Sequence, residues 1–528
     1  MSTRMVRSAG LIGAATMTSR ILGLAREQVM AYLFGAGNAM DAFNVAFRIP
    51  NLVRDLFAEG VMSAAFVPTF ARSLTHEGRA AAWRLGNNVI NGLLVTTAVV
   101  VVAGIALANP FVMLLAGDFA AVPGKVELTV LLTRVMMPIL TLVALAAAAM
   151  GMLNSMDRYF VPALAPAVFN VFSIVTTIVL VPVMPALGLP VILSVAIGVL
   201  VGGIGQIALQ IPALYREGFR YELRLHASDP RLREVLLLMG PGTLGLAATQ
   251  LNMFVNTWLA TGEGTGAVSW LSYAYRLMYL PLGLFGASIA TASMPAIARR
   301  AAEGDLGGLR KTLSSGIAMM LTFNLPASLG LIVLAHPIVA LLFERGRFTP
   351  ADTIATADAV MWYAVGLTGY SIVKVATPTF YALGDSRTPV ALSVLTVLAN
   401  AALNIVLVRS FGYRGLAAGT AFTATLYAVA LMMILRARLG GIDGTRLTSV
   451  LWRQGLASVA MAAAAWIVEH EMAAALPGAG LRSLLPRVGV SIVAAIAVLV
   501  VASRLLRVTE FNDLVDSVLR RLRSKMGS

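Results

Sequence analysis

Eleven ionisable side chains stand inside stretches that are otherwise apolar enough for hydrocarbon. Arg20, Arg26 and Glu27 fall in the first stretch, and Asp41, Arg48, Arg54, Asp55 and Glu59 in the second. Arg134, Arg276 and Lys374 stand elsewhere, so seven cations face four carboxylates. An Arg at the centre of a membrane helix costs at least ~2.5–3.5 kcal/mol on insertion scales, so it must face a partner or a wet cavity. Asp41, Arg48 and Asp55 recur every seven residues and share one helical stripe, so Arg48 reads either as a helix tie or as a cavity group. Arg134 reads in the same two ways, and Lys374 reads either as a cavity group or as a donor to a neighbouring backbone. For Arg20, Arg26, Arg54 and Arg276 too few acids remain nearby. An anion-binding cavity accounts for that surplus, because guanidinium presents a planar fork of donors and never loses its proton.

Other chemistries lack their residues. There is no Cys, which excludes disulfides, thiolate nucleophiles and Cys-based metal sites. The four His show no HxxxH or HExxH spacing. A polyprenyl-phosphate enzyme wants clustered acids for Mg²⁺ or a His base, and the acids in the apolar stretches, Glu27, Asp41, Asp55 and Glu59, form no DDxxD pattern and have no His nearby.

The elements that position these charges are membrane helices. Of the 528 residues 58% are hydrophobic and 12% charged. Long apolar runs recur at 91–107, 168–183, 191–214 and 491–506, and a bilayer of ~30 Å takes ~20 such residues per helix. The expected fold is all-α and polytopic, with about fourteen spans beginning near 8, 42, 87, 126, 160, 188, 235, 267, 312, 353, 389, 415, 452 and 486. The net charge of +15 suggests nucleic acid until the charges are placed. With the N-terminus inside, most of the 40 Lys and Arg fall in cytoplasmic segments, while the loops at 35–40, 184–189 and 262–266 contain none. No nucleic-acid partner is expected, and both termini are expected in the cytoplasm. Arg4 and Arg7 precede the first span without a small-residue cleavage site, so that span is expected to be uncleaved.

The two halves carry the same landmarks 227 residues apart. Asn109-Pro110 answers His336-Pro337, Pro162 answers Pro389, Gly188 answers Gly415 and Pro68 answers Pro295. Arg48 answers Arg276 one residue off that register. Six spans per copy give parallel repeats with the site expected between them near the midplane. The expected lobes are 1–226 and 227–440, followed by two further helices over 441–507 and a cytoplasmic tail over 508–528. The tail reads as an amphipathic helix over 509–526, either seated at headgroups through Arg520, Arg521, Arg523 and Lys525 or simply a surface helix. A second interfacial element is expected over 75–87.

The first two spans read Thr18-Ser19-Arg20-Ile21-Leu22-Gly23-Leu24-Ala25-Arg26-Glu27, then Asp41-Ala42-Phe43, Pro50-Asn51-Leu52-Val53-Arg54 and Leu56-Phe57-Ala58-Glu59-Gly60. Gln210-Ile211-Pro212, Met239-Gly240-Pro241, Tyr275-Arg276-Leu277 and Thr388-Pro389 follow. In these the chain resembles the MurJ (MviN) family of peptidoglycan lipid II flippases, within the multidrug/oligosaccharidyl-lipid/polysaccharide exporter superfamily. The resemblance implies a transporter rather than an enzyme. It implies an inner-membrane flippase that moves lipid II, an undecaprenyl-pyrophosphate-linked disaccharide peptide, by alternating access through a cationic cavity. Arg20, Arg26, Asp41, Arg54 and Arg276 match the positions implied for substrate, with Glu27, Arg48, Glu59 and Lys374 as supporting charges. The last two helices would form a groove for the polyprenyl tail. Membrane lipids and cell-wall synthesis proteins are the other partners implied. No cofactor is expected, and coupling is to the membrane potential or an ion. Some relatives are thought to hold sodium with carboxylates, where this chain has Asn252, Asn256, Asn400, Asn404 and Thr420; these are weak sodium ligands at best. A sister exporter of drugs or of another lipid-linked oligosaccharide would share the helix count but need fewer Arg in the first two spans. A structural scaffold would leave the Arg set unexplained.

Overall fold

In hydrocarbon every backbone N–H and C=O must be satisfied within the chain, which leaves the helix as the available element for sequences without strand alternation. The computed structural model describes residues 3–54, 66–223, 226, 229, 234, 250–478, 480–513 and 516, and among them there is no strand. The chain divides into two compact units, Met1–Ser269 and Trp270–Ser528. The first contains α1 (Thr3–Phe34), α2 (Asn38–Arg54), α3 (Val67–His76), α4 (Arg79–Ala106) and α5 (Ala108–Ala116). It continues with α6 (Lys125–Met136), α7 (Ile139–Ser155), α8 (Phe160–Leu180), α9 (Val183–Ala186), α10 (Leu193–Arg216) and a helical stretch over 250–261, α11. From α12 (Ala267–Pro281) a π-helical turn, Leu282–Gly286, leads to α13 (Ala287–Ala302). The second unit goes on through α14 (Leu306–Val333), α15 (Ala335–Phe343), α16 (Pro350–Val365), α17 (Leu367–Ala382), α18 (Arg387–Phe411), α19 (Tyr413–Arg438), α20 (Gly444–Ala475) and α21 (Leu481–Leu505).

Among the described residues ten helical stretches are long and apolar enough to cross a bilayer, or eleven if the bent pair α16–α17 is one span. The other three expected spans begin near 8, 42 and 235. The first of these, α1, is 32 residues long but carries Arg20, Arg26 and Glu27. The helices α2 and α11 adjoin 55–65 and 235–249, which lie outside the described residues.

The duplication reappears in the helix boundaries. Both α4 and α14 have 28 residues, and both ends of α14 lie 227 residues beyond those of α4, as do both ends of α15 beyond those of α5. The physical cause is shared. Pro110 and Pro337 lack an N–H, and their rings clash with the carbonyls of Ala106 and Val333, four residues back, where each long helix stops. Leu107 and Leu334 take the same backbone turn, φ −92°, ψ 10° and φ −99°, ψ 15°. The starts of α8 and α18 keep the 227-residue register, and beyond them it is lost. Gly188 turns the chain at φ 68°, whereas Gly415 lies within the first turn of α19. That correspondence is one of sequence only.

Packing within the first unit centres on Phe66, Phe70, Leu85, Met152, Leu153 and Leu214, where α3, α4, α7 and α10 meet. A Cβ on Gly202 would come 2.7 Å from the Phe169 carbonyl oxygen, so α10 can approach α8 backbone to backbone only with Gly there. The expected element over 75–87 does not form separately. The helix α3 ends at His76, and α4 starts at Arg79, eight residues before its expected beginning. Three Asn on those early turns hold the chain that leaves α10. Asn87 donates to Arg220 O (2.9 Å) and accepts from Glu222 N (3.0 Å), Asn91 donates to Glu222 O (2.8 Å), and Asn88 accepts from His226 N (3.2 Å).

In the second unit Leu309, Leu313, Ile317, Val375, Phe380 and Leu431 join α14, α17 and α19. The helices α20 and α21 pack through Ala457, Met461, Ala465, Ala495 and Leu499, and Val508 and Phe511 join that cluster. The beginning of the tail is thus seated on these two helices, and Glu510 pairs with Arg446 at 2.8 Å. Arg520, Arg521, Arg523 and Lys525 lie outside the described residues.

Candidate functional site

On α1, the residues from Ser19 to Arg26 lie against α8. Pro166 inside α8 leaves a backbone carbonyl without its usual donor. That carbonyl is Pro162 O, four residues back; Asn170, one turn further on, donates its side-chain amide to Pro166 O (3.0 Å) and to Ser19 O of α1 (3.3 Å). Two turns along α1, the Arg26 guanidinium lies over the Phe169 ring at 5.6 Å and pairs with Glu27 at 3.0 Å. The side chain of Arg26 is 16% exposed and that of Glu27 5%, so this charge pair is largely removed from solvent. Arg20, two turns away on the same helix, is half-buried and makes no ion pair with any described residue. Arg54 closes α2; its side chain, with Asp55 and Glu59, lies outside the described residues.

Asp41 has surroundings the sequence did not indicate. It is fully buried, and both oxygens are occupied. Lys125 Nζ (3.0 Å) and Gly266 N (2.7 Å) reach Oδ2, while Ser269 N (3.1 Å) and Ser269 Oγ (2.7 Å) reach Oδ1. Lys125 in turn lies over the Phe119 ring at 3.9 Å. Asp41 therefore ties the start of α2 to the first turns of α6 and α12, and it presents no free oxygen to a ligand here. The Arg48 stripe changes accordingly: Asp41 is neutralised by Lys125, and Arg48 Nη1 approaches Met253 Sδ at 3.6 Å.

Further acids sit inside helices, against the inventory drawn from sequence, and two of them have ion-pair partners there. Asp358 in α16 pairs with Arg414 at 2.5 Å, and Glu469 in α20 pairs with Arg487 of α21. Asp358 stands mid-helix and Glu469 in the last turns of α20; each has its own Arg, so neither lowers the cationic surplus. Arg134, outside the cavity set, donates to Ile105 O at 3.3 Å and ties α6 to α4.

In the second unit, Arg276 is half-buried on α12 beside a tyrosine cluster that sequence reasoning missed. Tyr275 meets Tyr279 at 5.0 Å and Tyr363 at 5.5 Å between ring centroids. The i, i+4 spacing of Tyr275 and Tyr279 was the available signal. Lys374 is exposed on α17, and the backbone hydrogen bond expected for it does not form among the described residues.

Of the amides considered for sodium, Asn400 and Asn404 are engaged with each other. Asn400 donates to Thr423 Oγ1 (2.9 Å), Asn404 donates to Asn400 Oδ1 (3.1 Å), and Thr420 donates to Leu416 O (2.7 Å). This network joins α18 to α19 and includes no carboxylate; no cluster of three or more acids and His occurs among the described residues. Asn252 and Asn256 lie in the first unit, on α11.

The family model described as "Lipid II flippase MurJ" matches residues 30–482. A probable lipid II flippase MurJ of Vibrio cholerae is 35% identical over 439 residues, 81% of this chain and 82% of that protein. The lipid II flippase MurJ of Burkholderia cenocepacia is 34% identical over 431 residues, 81% of this chain and 83% of that protein. Among solved structures, a lipid II flippase MurJ in an inward closed conformation aligns with a TM-score of 0.77 at 24% identity, over 96% of this chain and 99% of the other. An inward-facing MATE-family multidrug transporter aligns with a TM-score of 0.69 at 16% identity, over 83% of this chain and 99% of the other. The shared fold is that of a multi-span helical transporter, and with a family match over most of the chain and relatives above 30% identity across four-fifths of both sequences, this protein belongs to the lipid II flippase MurJ family.

Proposed function

We propose that this protein is a flippase that carries lipid II from the inner to the outer leaflet of the bacterial cytoplasmic membrane by alternating access. Family membership carries the reading. The residues that give it a mechanism are the half-buried arginines, Arg20 and Arg26 on α1 and Arg276 on α12. A pyrophosphate linking a polyprenyl chain to sugar needs donors that stay charged in a low-dielectric cavity, and guanidinium supplies them in pairs. Arg54 completes the substrate set, and Glu27, Arg48, Glu59 and Lys374 adjust its charge. Asp41 acts as a tie that holds α2 to the first turns of α6 and α12 in one state and is exchanged in another. The reading includes fourteen spans in two six-helix lobes, a tail groove at α20 and α21, and both termini in the cytoplasm. It also includes drive by the membrane potential, since the residues considered for sodium include no carboxylate.

The test is complementation. In cells depleted of their own lipid II flippase, expression of this chain restores lipid II at the outer leaflet, measured by its accessibility to an added lipid II-cleaving enzyme. Membrane-inserted protein without restored exposure would refute the assignment.

A further inference from the structure

A groove of about 260 Å³ runs between α17 and α19 of the second unit, well away from Arg276 in sequence and on different helices. Its upper end is set by glycine. A Cβ on Gly366 would come 2.6 Å from Ala421 Cα, and one on Gly369 2.8 Å from Thr425 Cα, so the helix backbones nearly touch there. At Gly366 the α16–α17 pair bends by 43°. Along the groove the lining is apolar, with Ile372, Ala428, Val429 and Met432, and Val429 and Met433 are exposed at its edge. Arg436 closes the other end.

Three arginines lie near that end, and two are neutralised. Arg438 pairs with Asp385 at 2.6 Å and Arg310 with Asp443 at 2.7 Å. Arg436 is exposed and pairs with no described residue. From Thr425 to Arg436 the helix rises about 16 Å. That is about half of a ~30 Å hydrocarbon core, the depth of one leaflet. We infer that this groove binds an anionic phospholipid, with one acyl chain between α17 and α19 and its phosphate on Arg436. The apolar wall matches a chain of one leaflet's length, the flexible Met432 and Met433 adapt to it, and the unpaired cation stands where a headgroup phosphate lies. That this leaflet is the cytoplasmic one follows from the orientation proposed above; the site itself does not depend on it, nor on the identity of the transported lipid.

The experiment is native mass spectrometry of the full chain released from detergent micelles, titrated with phosphatidylglycerol or phosphatidylcholine. Arg436→Gln is expected to weaken phosphatidylglycerol binding about fivefold, the factor one Arg at an anionic surface provides, and to leave phosphatidylcholine unchanged. Val429→Trp, at an exposed groove position that tolerates a larger side chain, is expected to weaken both lipids. Arg482→Gln, an exposed Arg at the start of α21, is expected to change neither. Unchanged phosphatidylglycerol binding in Arg436→Gln overturns the headgroup assignment, and unchanged binding of both lipids in Val429→Trp overturns the groove.

Discussion

Lys125 and Asp41 form a buried ion pair, supported by the Phe119 ring beside Lys125 and by three further hydrogen bonds to Asp41. Lys125→Met would leave a carboxylate with three remaining donors and no cation, and losing one partner of such a pair costs about 3–5 kcal/mol. The expected outcome is a large drop in thermal unfolding temperature in detergent, partly recovered by Lys125→Met with Asp41→Leu. A second prediction separates the arginines. Arg20→Ala removes a cation with no ion-pair partner among the described residues, so membrane abundance should hold while lipid II binding falls. Arg26→Ala takes the paired cation from buried Glu27 and should lower abundance as well as binding. Normal lipid II binding by both variants would remove the cationic site from the mechanism. Arg20, Arg26 and Arg276 were legible in the sequence because a charge in an apolar run is costly. The role of Lys125 was not, because it stands at a helix start, where it counted with the loop, and its partner is 84 residues away. Phe169 left no trace either, since an aromatic ring in a membrane helix is unremarkable until a guanidinium lies on it.

Helix ends followed from local chemistry wherever a proline dictated them, as at Pro110 and Pro337. They did not follow where burial decided. The early start of α4 depends on Asn87, Asn88 and Asn91, and polar residues at that depth suggest a loop until the segment they hold is seen. Interhelical contact was legible only as an abundance of Gly. Gly202→Ala provides a test at this scale, because its methyl would collide with backbone rather than with a movable side chain. The α8–α10 contact should open, lowering the unfolding temperature. Because Phe169 supplies both that carbonyl and the ring under Arg26, lipid II affinity should fall with it. Gly13→Ala, with open space around its Cβ position, is the control and should be neutral.

For the whole molecule, orientation is the quantity to measure. In this naturally Cys-free chain, Thr265→Cys in the 262–266 loop should label from outside the cell and Glu303→Cys from inside. Labelling of both from the same side would contradict an odd number of crossings between them. Ion coupling is tested in proteoliposomes, where transport should follow an imposed potential and survive replacement of sodium by potassium. A strict sodium requirement lost in Asn404→Ala would show that the amide network opens to a cation. Fold class and duplication were readable because hydropathy and proline spacing are local signals repeated along the chain. The route by which charges are neutralised was not, since it depends on contacts between different helices, as with Lys125 and Asp41, 84 positions apart.

The seating of α1 on α8 also sets a schedule for biosynthesis. The groups that receive the polar face of α1, Phe169 and Asn170, emerge from the ribosome long after it; Asn170 is 151 residues behind Ser19. At synthesis rates of about 5–20 residues per second that is a wait of roughly 8 to 30 s. During that interval Arg26 lacks the Phe169 ring it lies over, and the lipid phase rejects a charge. The nascent first helix must therefore be sheltered by the insertion machinery, or held at the interface, until the eighth is made. A ribosome stalled before residue 160 should leave α1 extractable by alkali, and one stalled beyond 220 should leave it integrated.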